Sequence, residues 1–155
     1  MTKKPKIIVD TREGLPYWKN NVIKKKLDTG DYSLEGMETR FTIDRKSLPD
    51  LFGTLGKGYT RFRKELVRSQ ELEYFGIYIE GTPEKVFAKD FPGSYHIKRM
   101  TGRAVMRQLK TIEEKYGVHV VFCESRVGCK RAIKKKFSTL LNSEEKLLNI
   151  KEGGE

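Results

Sequence analysis

The seven residues from Tyr74 to Glu80 (Tyr-Phe-Gly-Ile-Tyr-Ile-Glu) constrain the fold more than any other segment of the chain. They form a nearly continuous run of β-branched and aromatic residues, which predicts a strand buried on both faces of a sheet. Helical patterns precede and follow this run, at residues 59–72 and 83–88. A buried strand between two helices predicts an α/β fold in which helices cover the sheet.

The other segments also alternate between strand and helix patterns. Short apolar runs predict strands at residues 6–10, 22–27 and 118–123, and two alternating runs joined by a Gly turn predict a hairpin at 31–34 and 39–45. Ser47 is the predicted N-cap of the next helix, with Pro49 in its first turn. Helical spacing returns at residues 101–116 and 125–141. This order predicts an α/β sandwich with a mixed sheet.

The length suits one domain, because 155 residues are enough for a single hydrophobic core. No internal repeat and no linker interrupts the sequence. We expect a folded domain at residues 1–138, followed at 139–155 by a helical, partly disordered tail.

The charge balance predicts a polyanionic partner. The chain has 32 Lys and Arg against 21 Asp and Glu, a net charge of +11 and a pI near 9.6. Charge alone does not distinguish nucleic acid from an anionic lipid surface or an acidic protein. With 37% hydrophobic residues, the composition argues against wholesale disorder.

The chain shows no sign of membrane insertion or export. No apolar run approaches the about 20 residues that span a bilayer, and the N-terminus does not resemble a signal peptide. Its two cysteines suit a reducing compartment. We therefore expect an intracellular protein without a membrane partner, in the cytoplasm of a prokaryote or infected cell, or in a eukaryotic nucleus.

Four carboxylates and one lysine stand out in the first third of the chain. Asp10 ends the first strand, the hairpin and its end carry Asp31, Asp44 and Lys46, and Asp50 follows in the first helical turn. Alternation puts Asp44 and Lys46 on one face of a strand, and the hairpin can bring Asp31 close to them. Carboxylates that hold Mg²⁺ beside an ammonium suit phosphodiester hydrolysis, although a solvated hairpin face would also carry such residues.

Three motifs around these residues follow one another in a fixed order. Residues 7–13 read Ile-Ile-Val-Asp-Thr-Arg-Glu, residues 27–32 read Leu-Asp-Thr-Gly-Asp-Tyr, and residues 43–51 read Ile-Asp-Arg-Lys-Ser-Leu-Pro-Asp-Leu. In these motifs the chain resembles the nuclease domain of the XPF/Hef family of structure-specific endonucleases. The family signature is Gly-Asp, a spacer, then Glu-Arg-Lys-x-x-x-Asp. The resemblance continues through Arg61-Phe62 and residues 77–81 and covers about residues 5–138.

This resemblance implies a fold, a reaction and a set of site residues. The implied fold is a restriction-endonuclease-like three-layer sandwich with a mixed central sheet. The implied reaction is Mg²⁺- or Mn²⁺-dependent cutting of branched DNA (flap, fork or junction) near a boundary between single and double strands. By position, the implied metal ligands are Asp31 and Asp44, with Asp10 as a supporting carboxylate and further candidate ligand. The other implied catalytic residues are Lys46 as the catalytic cation, Asp50 as a supporting carboxylate, and Arg45, with Arg12, as a phosphate or network partner.

The chain departs from the family pattern in two respects. Asp44 stands where the family has a glutamate, and Mg²⁺ tolerates poor octahedral geometry badly, so a shifted strand, a preference for Mn²⁺ or slow cutting would follow. Family members usually also carry a double helix-hairpin-helix domain, and often a helicase region, which these 155 residues do not accommodate. Because members pair through the nuclease domain as well, we expect a homodimer or a dimer with another chain.

The last long helix carries a stripe of one charge sign. Residues 126–136 hold six positive charges and no negative one, and Val127, Ala132, Ile133 and Phe137 are expected to point inward. Such a stripe suits a solvated face or contacts with DNA phosphates. The candidate DNA-binding residues are Arg12, Arg61, Arg63, Lys64, Arg103, Arg126, Lys130, Arg131, Lys134 and Lys135.

Two other functions are compatible with these residues. If Asp44 marks a degenerate site, the domain would bind branched DNA without cutting it, although the intact Asp-Arg-Lys core argues against this. Without a helix-hairpin-helix clamp, the chain would be a less selective deoxyribonuclease of the same fold.

Overall fold

A single mixed sheet organises the part of the chain described by the computed structural model, residues 4–153. Within these residues the six strands are β1 (Ile7–Val9), β2 (Val22–Lys24), β3 (Tyr32–Leu34), β4 (Phe41–Ser47), β5 (Tyr74–Glu80) and β6 (His119–Phe122). The α-helices there are α1 (Leu48–Leu55), α2 (Tyr59–Ser69), α3 (Pro83–Ala88), α4 (Gly102–Tyr116) and α5 (Arg126–Gly153), and a 3-10 turn lies at Ser94–His96.

The strands lie in the order β2-β1-β3-β4-β5-β6. Strand β3 pairs antiparallel with both β1 and β4, whereas the pairs β1–β2, β4–β5 and β5–β6 are parallel. The predicted hairpin is therefore the β3–β4 pair. The prediction of a mixed central sheet is confirmed.

Strand β5 lies inside the sheet and is buried on both faces, as its sequence predicts. On one face, Phe75, Ile77 and Ile79 pack with apolar residues of α1, α2 and α4. On the other face, Tyr74 and Tyr78 pack with residues of α5 and of strands β3 and β4. Helices on both faces of the sheet make three layers, and the predicted α/β sandwich is confirmed.

Local capping signals set the first residues of two helices. The Oγ of Ser47 accepts a hydrogen bond from the backbone N–H of Asp50, which starts α1 immediately after β4. Thr101 caps α4 in the same way through the N–H of Ala104, and Gly117 ends α4 with φ of 66°.

Two elements run beyond their sequence-predicted ends. Strand β4 continues to Ser47 rather than ending at residue 45, because its parallel register with β5 runs on to Glu80. Helix α5 runs through residue 141 to Gly153 without a break, so the expected domain boundary at residue 138 stays a prediction.

The predicted inward face of α5 is correct except at its first position. Ile133 and Phe137 are buried, together with Cys129, and these residues lie four apart on one side of the helix. Val127 is 65% exposed, so its predicted inward orientation is wrong. It precedes Cys129 by only two residues, which places it roughly on the opposite side of the helix. Although α5 has 28 residues, no helix of residues 4–153 is long and apolar enough to cross a membrane.

The close approach of α3 and α4 yields a stability prediction. A Cβ at Gly102 would lie 2.0 Å from the carbonyl oxygen of Val86 and 2.6 Å from the Cα of Phe87. We expect Gly102→Ala to lower the free energy of unfolding by at least about 2 kcal/mol, because backbone must move apart. Urea unfolding followed by circular dichroism measures this difference.

The matched control for this prediction is Gly53→Ala. Gly53 is also helical, but a Cβ there would meet nothing within 4 Å. This variant should raise the free energy of unfolding by roughly 0.5–1 kcal/mol through helix propensity. Equal effects of the two variants would contradict the proposed steric cause.

Candidate functional site

Two carboxylates and a lysine converge where β3 and β4 pair. The antiparallel pairing puts Asp31, which directly precedes β3, beside Asp44 in β4. Oδ2 of Asp31 accepts a 2.7 Å hydrogen bond from the backbone N–H of Arg45, and the Nζ of Lys46 lies 3.0 Å from Oδ2 of Asp44. The structure thus brings together the three side chains at the centre of the sequence motif.

Burial and the neighbouring charges shift pKa values in this cluster. Burial, and next the negative charge of Asp44, raise the pKa of Asp31 well above its ordinary value. Burial disfavours the ammonium of Lys46, but the charges of Asp44 and Asp31 outweigh it and raise the pKa of Lys46 above its ordinary value. Lys46 is therefore protonated at neutral pH.

One oxygen of this cluster lacks a hydrogen bond. Asp44 is only 4% exposed, and its Oδ2 accepts no hydrogen bond of normal geometry from the described residues. This oxygen does contact the ammonium of Lys46. Buried carboxylates with an unsatisfied oxygen favour a further cation nearby.

Glu65 of α2 is a third carboxylate here, which the sequence motifs do not include. Its Oε1 accepts a 3.2 Å hydrogen bond from the backbone N–H of Gly30, and burial together with the charge of Asp44 raises the pKa of Glu65. The available sequence signal was helical spacing: Glu65 lies three residues after the buried Phe62 and beside Leu66, at the border of the buried face of α2.

An open pocket of about 390 Å³ leads to Lys46 and Glu65 between α1 and α2. Two further predicted residues, Asp50 and Arg61, line this pocket. Asp50 is exposed in the first turn of α1, and Arg61 is exposed in the first turn of α2. Other candidate residues on these layers are exposed outside the pocket lining, namely Arg63, Lys64 and Arg103.

Asp10 and Arg12 form a separate ion pair next to this cluster. Asp10 accepts hydrogen bonds from the N–H of Leu27 at 2.8 Å and from Nε of Arg12 at 3.0 Å. Burial would raise the pKa of Asp10, but the bonds from Arg12 and Leu27 outweigh it and lower that pKa. The backbone N–H of Asp10 also donates to the carbonyl of Asp31 at 2.8 Å. These bonds favour a positioning role for Asp10, and its metal ligation stays a prediction.

Arg45 points to the opposite face of the sheet from Asp44 and Lys46, as strand alternation requires. Its guanidinium donates two hydrogen bonds to Glu13, at 2.9 and 3.0 Å, and one to Glu80 at 3.3 Å. The side chain of Arg45 is only 10% exposed. Of the two implied roles, its contacts favour the network role over contact with a phosphate.

The basic helix α5 packs on the same face of the sheet as Arg45, so the sheet separates it from the pocket. Arg126 donates to the carbonyl oxygens of Leu15 and Pro16, at 2.8 and 3.1 Å, and stacks over Tyr17. The other predicted DNA-binding residues of α5 are exposed: Lys130, Arg131, Lys134 and Lys135.

The carboxylates fit a hydrated divalent cation better than a ready-made protein cage. Among the described residues, no group of three or more His, Cys, Asp or Glu side chains is arranged to hold a metal ion. Asp31 and Asp44 supply two carboxylates, one with an unsatisfied buried oxygen. Mg²⁺ commonly binds through one or two carboxylates and keeps several waters, so this donor set suits Mg²⁺ or Mn²⁺.

The ERCC4 domain family matches residues 9–134, which contain every residue of this cluster. The chain belongs to the ERCC4 domain family. This assignment confirms the resemblance to XPF-type nuclease domains. No curated protein sequence matches the chain closely enough to be counted as a relative.

Solved structures of XPF from Aeropyrum pernix share the fold. One is 22% identical with a TM-score of 0.67, covering 87% of this chain and 61% of that one. A second, XPF from Aeropyrum pernix in complex with DNA, is 21% identical with a TM-score of 0.67, covering 90% of this chain and 66% of that one. The restriction-endonuclease-like fold is therefore confirmed, and the chain spans less than two thirds of these proteins.

The repulsion between Asp31 and Asp44 yields a prediction about stability and pH. In EDTA at about pH 8, Asp31→Asn should raise the free energy of unfolding by about 1 kcal/mol, because it removes the negative charge that faces Asp44. Because the pKa of Asp31 is raised in the folded wild-type protein, the folded state binds a proton there at a higher pH than the unfolded chain does. Wild-type stability therefore rises as the pH falls through that pKa, and the advantage of the variant should shrink.

Urea unfolding at several pH values measures this difference, with Asp90→Asn as an exposed carboxylate control. An Asp31→Asn protein that is less stable than wild type at about pH 8 would contradict the repulsion.

Proposed function

We propose that this chain is a DNA endonuclease that requires Mg²⁺ or Mn²⁺ and cuts branched DNA near boundaries between single and double strands. The observation that carries the proposal is the close pairing of Asp31 with the buried Asp44 beside the charged Lys46, which lines an open pocket. Membership of the ERCC4 domain family and the likeness to XPF in complex with DNA support DNA as the substrate. The preference for branched DNA rests on the resemblance to the XPF/Hef family.

Asp31 and Asp44 are the proposed metal ligands. A divalent cation held there would neutralise their charges and supply Lewis-acid polarisation of a phosphoryl oxygen. The N–H of Arg45 fixes one oxygen of Asp31, so the carboxylate is oriented before a metal binds. Glu65 adds negative charge nearby and holds the backbone at Gly30.

Lys46 is the proposed electrostatic catalyst. Because its pKa is raised, its ammonium is charged at neutral pH and does not serve as a general base. A fixed positive charge at the pocket stabilises the negative charge that develops on the phosphate during hydrolysis. Asp44 and Phe62 hold the ammonium, with Nζ 5.3 Å from the ring centroid.

Positive side chains outside the cluster would bind the DNA backbone. Arg61 lines the pocket and is the proposed first phosphate contact. The exposed cations of α5 would contact DNA on the other side of the sheet.

The same proposal includes a dimer, formed by two copies or with another chain. The end of α5 exposes three apolar side chains, Leu147, Leu148 and Ile150. Exposed apolar residues grouped on one segment are typical of an interaction surface.

Substitution of the cluster should separate cutting from binding. Asp31→Asn and Lys46→Ala should each lower the rate of flap cleavage by about 10²–10³-fold or more, because each removes a charge needed in the transition state. DNA affinity should change little. Gel cleavage and fluorescence anisotropy measure the two properties, with Lys110→Ala as the exposed control. Normal flap cleavage by Asp31→Asn would overturn the assignment.

The substrate and metal are tested on one gel. Labelled flap, fork, four-way junction, duplex and single strand are each incubated with Mg²⁺, Mn²⁺ or EDTA. Cutting only with metal and only near a junction supports the proposal. Metal-dependent cutting of all substrates would indicate a less selective deoxyribonuclease, and metal-independent binding without cutting would indicate a binding module.

Glu65→Gln tests the third carboxylate. Glutamine keeps an oxygen for the N–H of Gly30 but removes the charge, so the Mg²⁺ concentration for half-maximal cutting should rise about fivefold. Cleavage over a Mg²⁺ series measures this shift, with Glu71→Gln, an exposed residue beyond the end of α2, as the control. An unchanged Mg²⁺ requirement would contradict the role of Glu65.

A further inference from the structure

A second, larger groove lies beside the candidate nuclease pocket. It has a volume of about 940 Å³ and lies between α1 and the segment 96–100. Pro49 and Gly53 line both cavities, so the groove and the pocket meet along α1. This groove is outside the acidic cluster, and the cleavage chemistry does not use it.

The groove combines an apolar floor with a cationic rim. Phe52, Leu55, Ile97 and Met100 supply apolar lining. Its charged or titratable lining residues are all basic and exposed, namely Lys57, His96, Lys98 and Arg99. An occupant should therefore be an anion with flat or apolar parts.

The groove is held open by contacts of its own walls. The side chain of Met100 packs against α1, where a Cβ at Gly56 would lie 3.3 Å from its Cγ. Lys89 donates through Nζ to the carbonyl oxygen of Ile97, and Phe91 packs on Phe52 with ring centroids 5.0 Å apart. A groove formed in advance binds a ligand with little loss of conformational entropy in the protein.

We propose that this groove binds unpaired nucleotides of a DNA strand that continues from the nuclease pocket. Base faces would pack on the apolar floor while phosphates contact the rim. A duplex fits this chemistry poorly because its base faces are stacked inside the helix. The 77%-exposed ring of Tyr95, whose centroid lies 4.1 Å from that of His96, extends the surface available for stacking.

This inference rests on the proposed function, since it assigns a route to one strand of the same substrate. It also adds a source of specificity. A strand that enters the groove must be unpaired next to the cleavage site, so the groove selects boundaries where one strand is already single.

The test compares single-strand and duplex binding by a rim variant. Labelled oligothymidine of about 10 nucleotides and a duplex of equal length are titrated in EDTA and followed by fluorescence anisotropy. The variant Lys98→Ala/Arg99→Ala should lose about tenfold in affinity for the single strand and clearly less for the duplex. For the single strand, the negative slope of log affinity against log salt concentration should become shallower by about 1.4, the value for two lost phosphate contacts.

The matched control is Lys26→Ala/Lys110→Ala, which removes the same charge from exposed positions outside the groove. An equal loss of single-strand affinity in the control, or an equal loss for single strand and duplex in the rim variant, would overturn the proposal. Displacement of the oligonucleotide by an acidic, apolar peptide at lower concentration than by unlabelled oligothymidine would also overturn it, in favour of a protein partner.

Crosslinking supplies a readout that is independent of affinity. An iodouracil-bearing oligonucleotide should form adducts on peptides that contain residues 52–57 or 95–100. Adducts confined to residues 126–135 would overturn the proposal. Both binding assays use metal-free protein, so they test the groove independently of cutting. If the rim variant cuts normally and its single-strand binding is unchanged, the groove proposal is rejected and the nuclease proposal stands. If the rim variant loses single-strand binding but the wild-type chain never cuts, the nuclease proposal is rejected and the groove proposal stands.

Discussion

The parallel pairing of β4 with β5 is the constraint on which the site depends. Seven consecutive residue pairs, from Phe41 with Tyr74 to Ser47 with Glu80, hold β4 rigidly inside the sheet. Alternation along this strand then sends Asp44 and Lys46 toward α1 and α2, and Arg45 toward the opposite layer. The three-residue motif Asp-Arg-Lys is therefore split between two environments. Asp44 contacts Lys46, which lines the pocket. Arg45 joins Glu13 and Glu80 in an ion-pair network that anchors the segment after β1 to the sheet.

Strand pairing in the acidic cluster holds two like charges close together at a cost in stability. Asp31 is held against Asp44 by the β3–β4 pairing and by the N–H of Arg45, so it cannot relax away from the like charge. In the absence of a cation, this arrangement lowers the stability of the fold at neutral pH. The same repulsion would favour the proposed divalent cation, because a cation held there would neutralise both carboxylates. Lys46 neutralises the cluster only in part, since a third carboxylate, Glu65, also lies close enough to act on it.

Sequence patterns predicted those features that depend on local periodicity. The hairpin, the shared face of Asp44 and Lys46, and the Ser47 cap each follow from the alternation or capping of neighbouring residues. The resemblance to a family added the fold, which is confirmed, and an expected reaction, which stays a prediction. Features that depend on the packing of distant segments were not predicted. Glu65 reaches the site only because α2 packs beside the turn before β3, where the N–H of Gly30 donates to it. Asp10 is occupied by Arg12 and Leu27, and the basic stripe of α5 lies on the other face of the sheet. A run of like charges carries no information about which side of a sheet it will cover.

Gly53 of α1 lies where the two cavities meet, at a position with room for a side chain. A Cβ at Gly53 would meet nothing within 4 Å, and Gly53 lines both the pocket at Lys46 and the groove. Longer side chains at this residue would progressively narrow the passage between the two cavities without disturbing the hydrophobic core. If a DNA strand runs from the pocket into the groove as proposed, a residue on this solvent-facing turn of α1 would affect the passage of the strand without altering the acidic cluster.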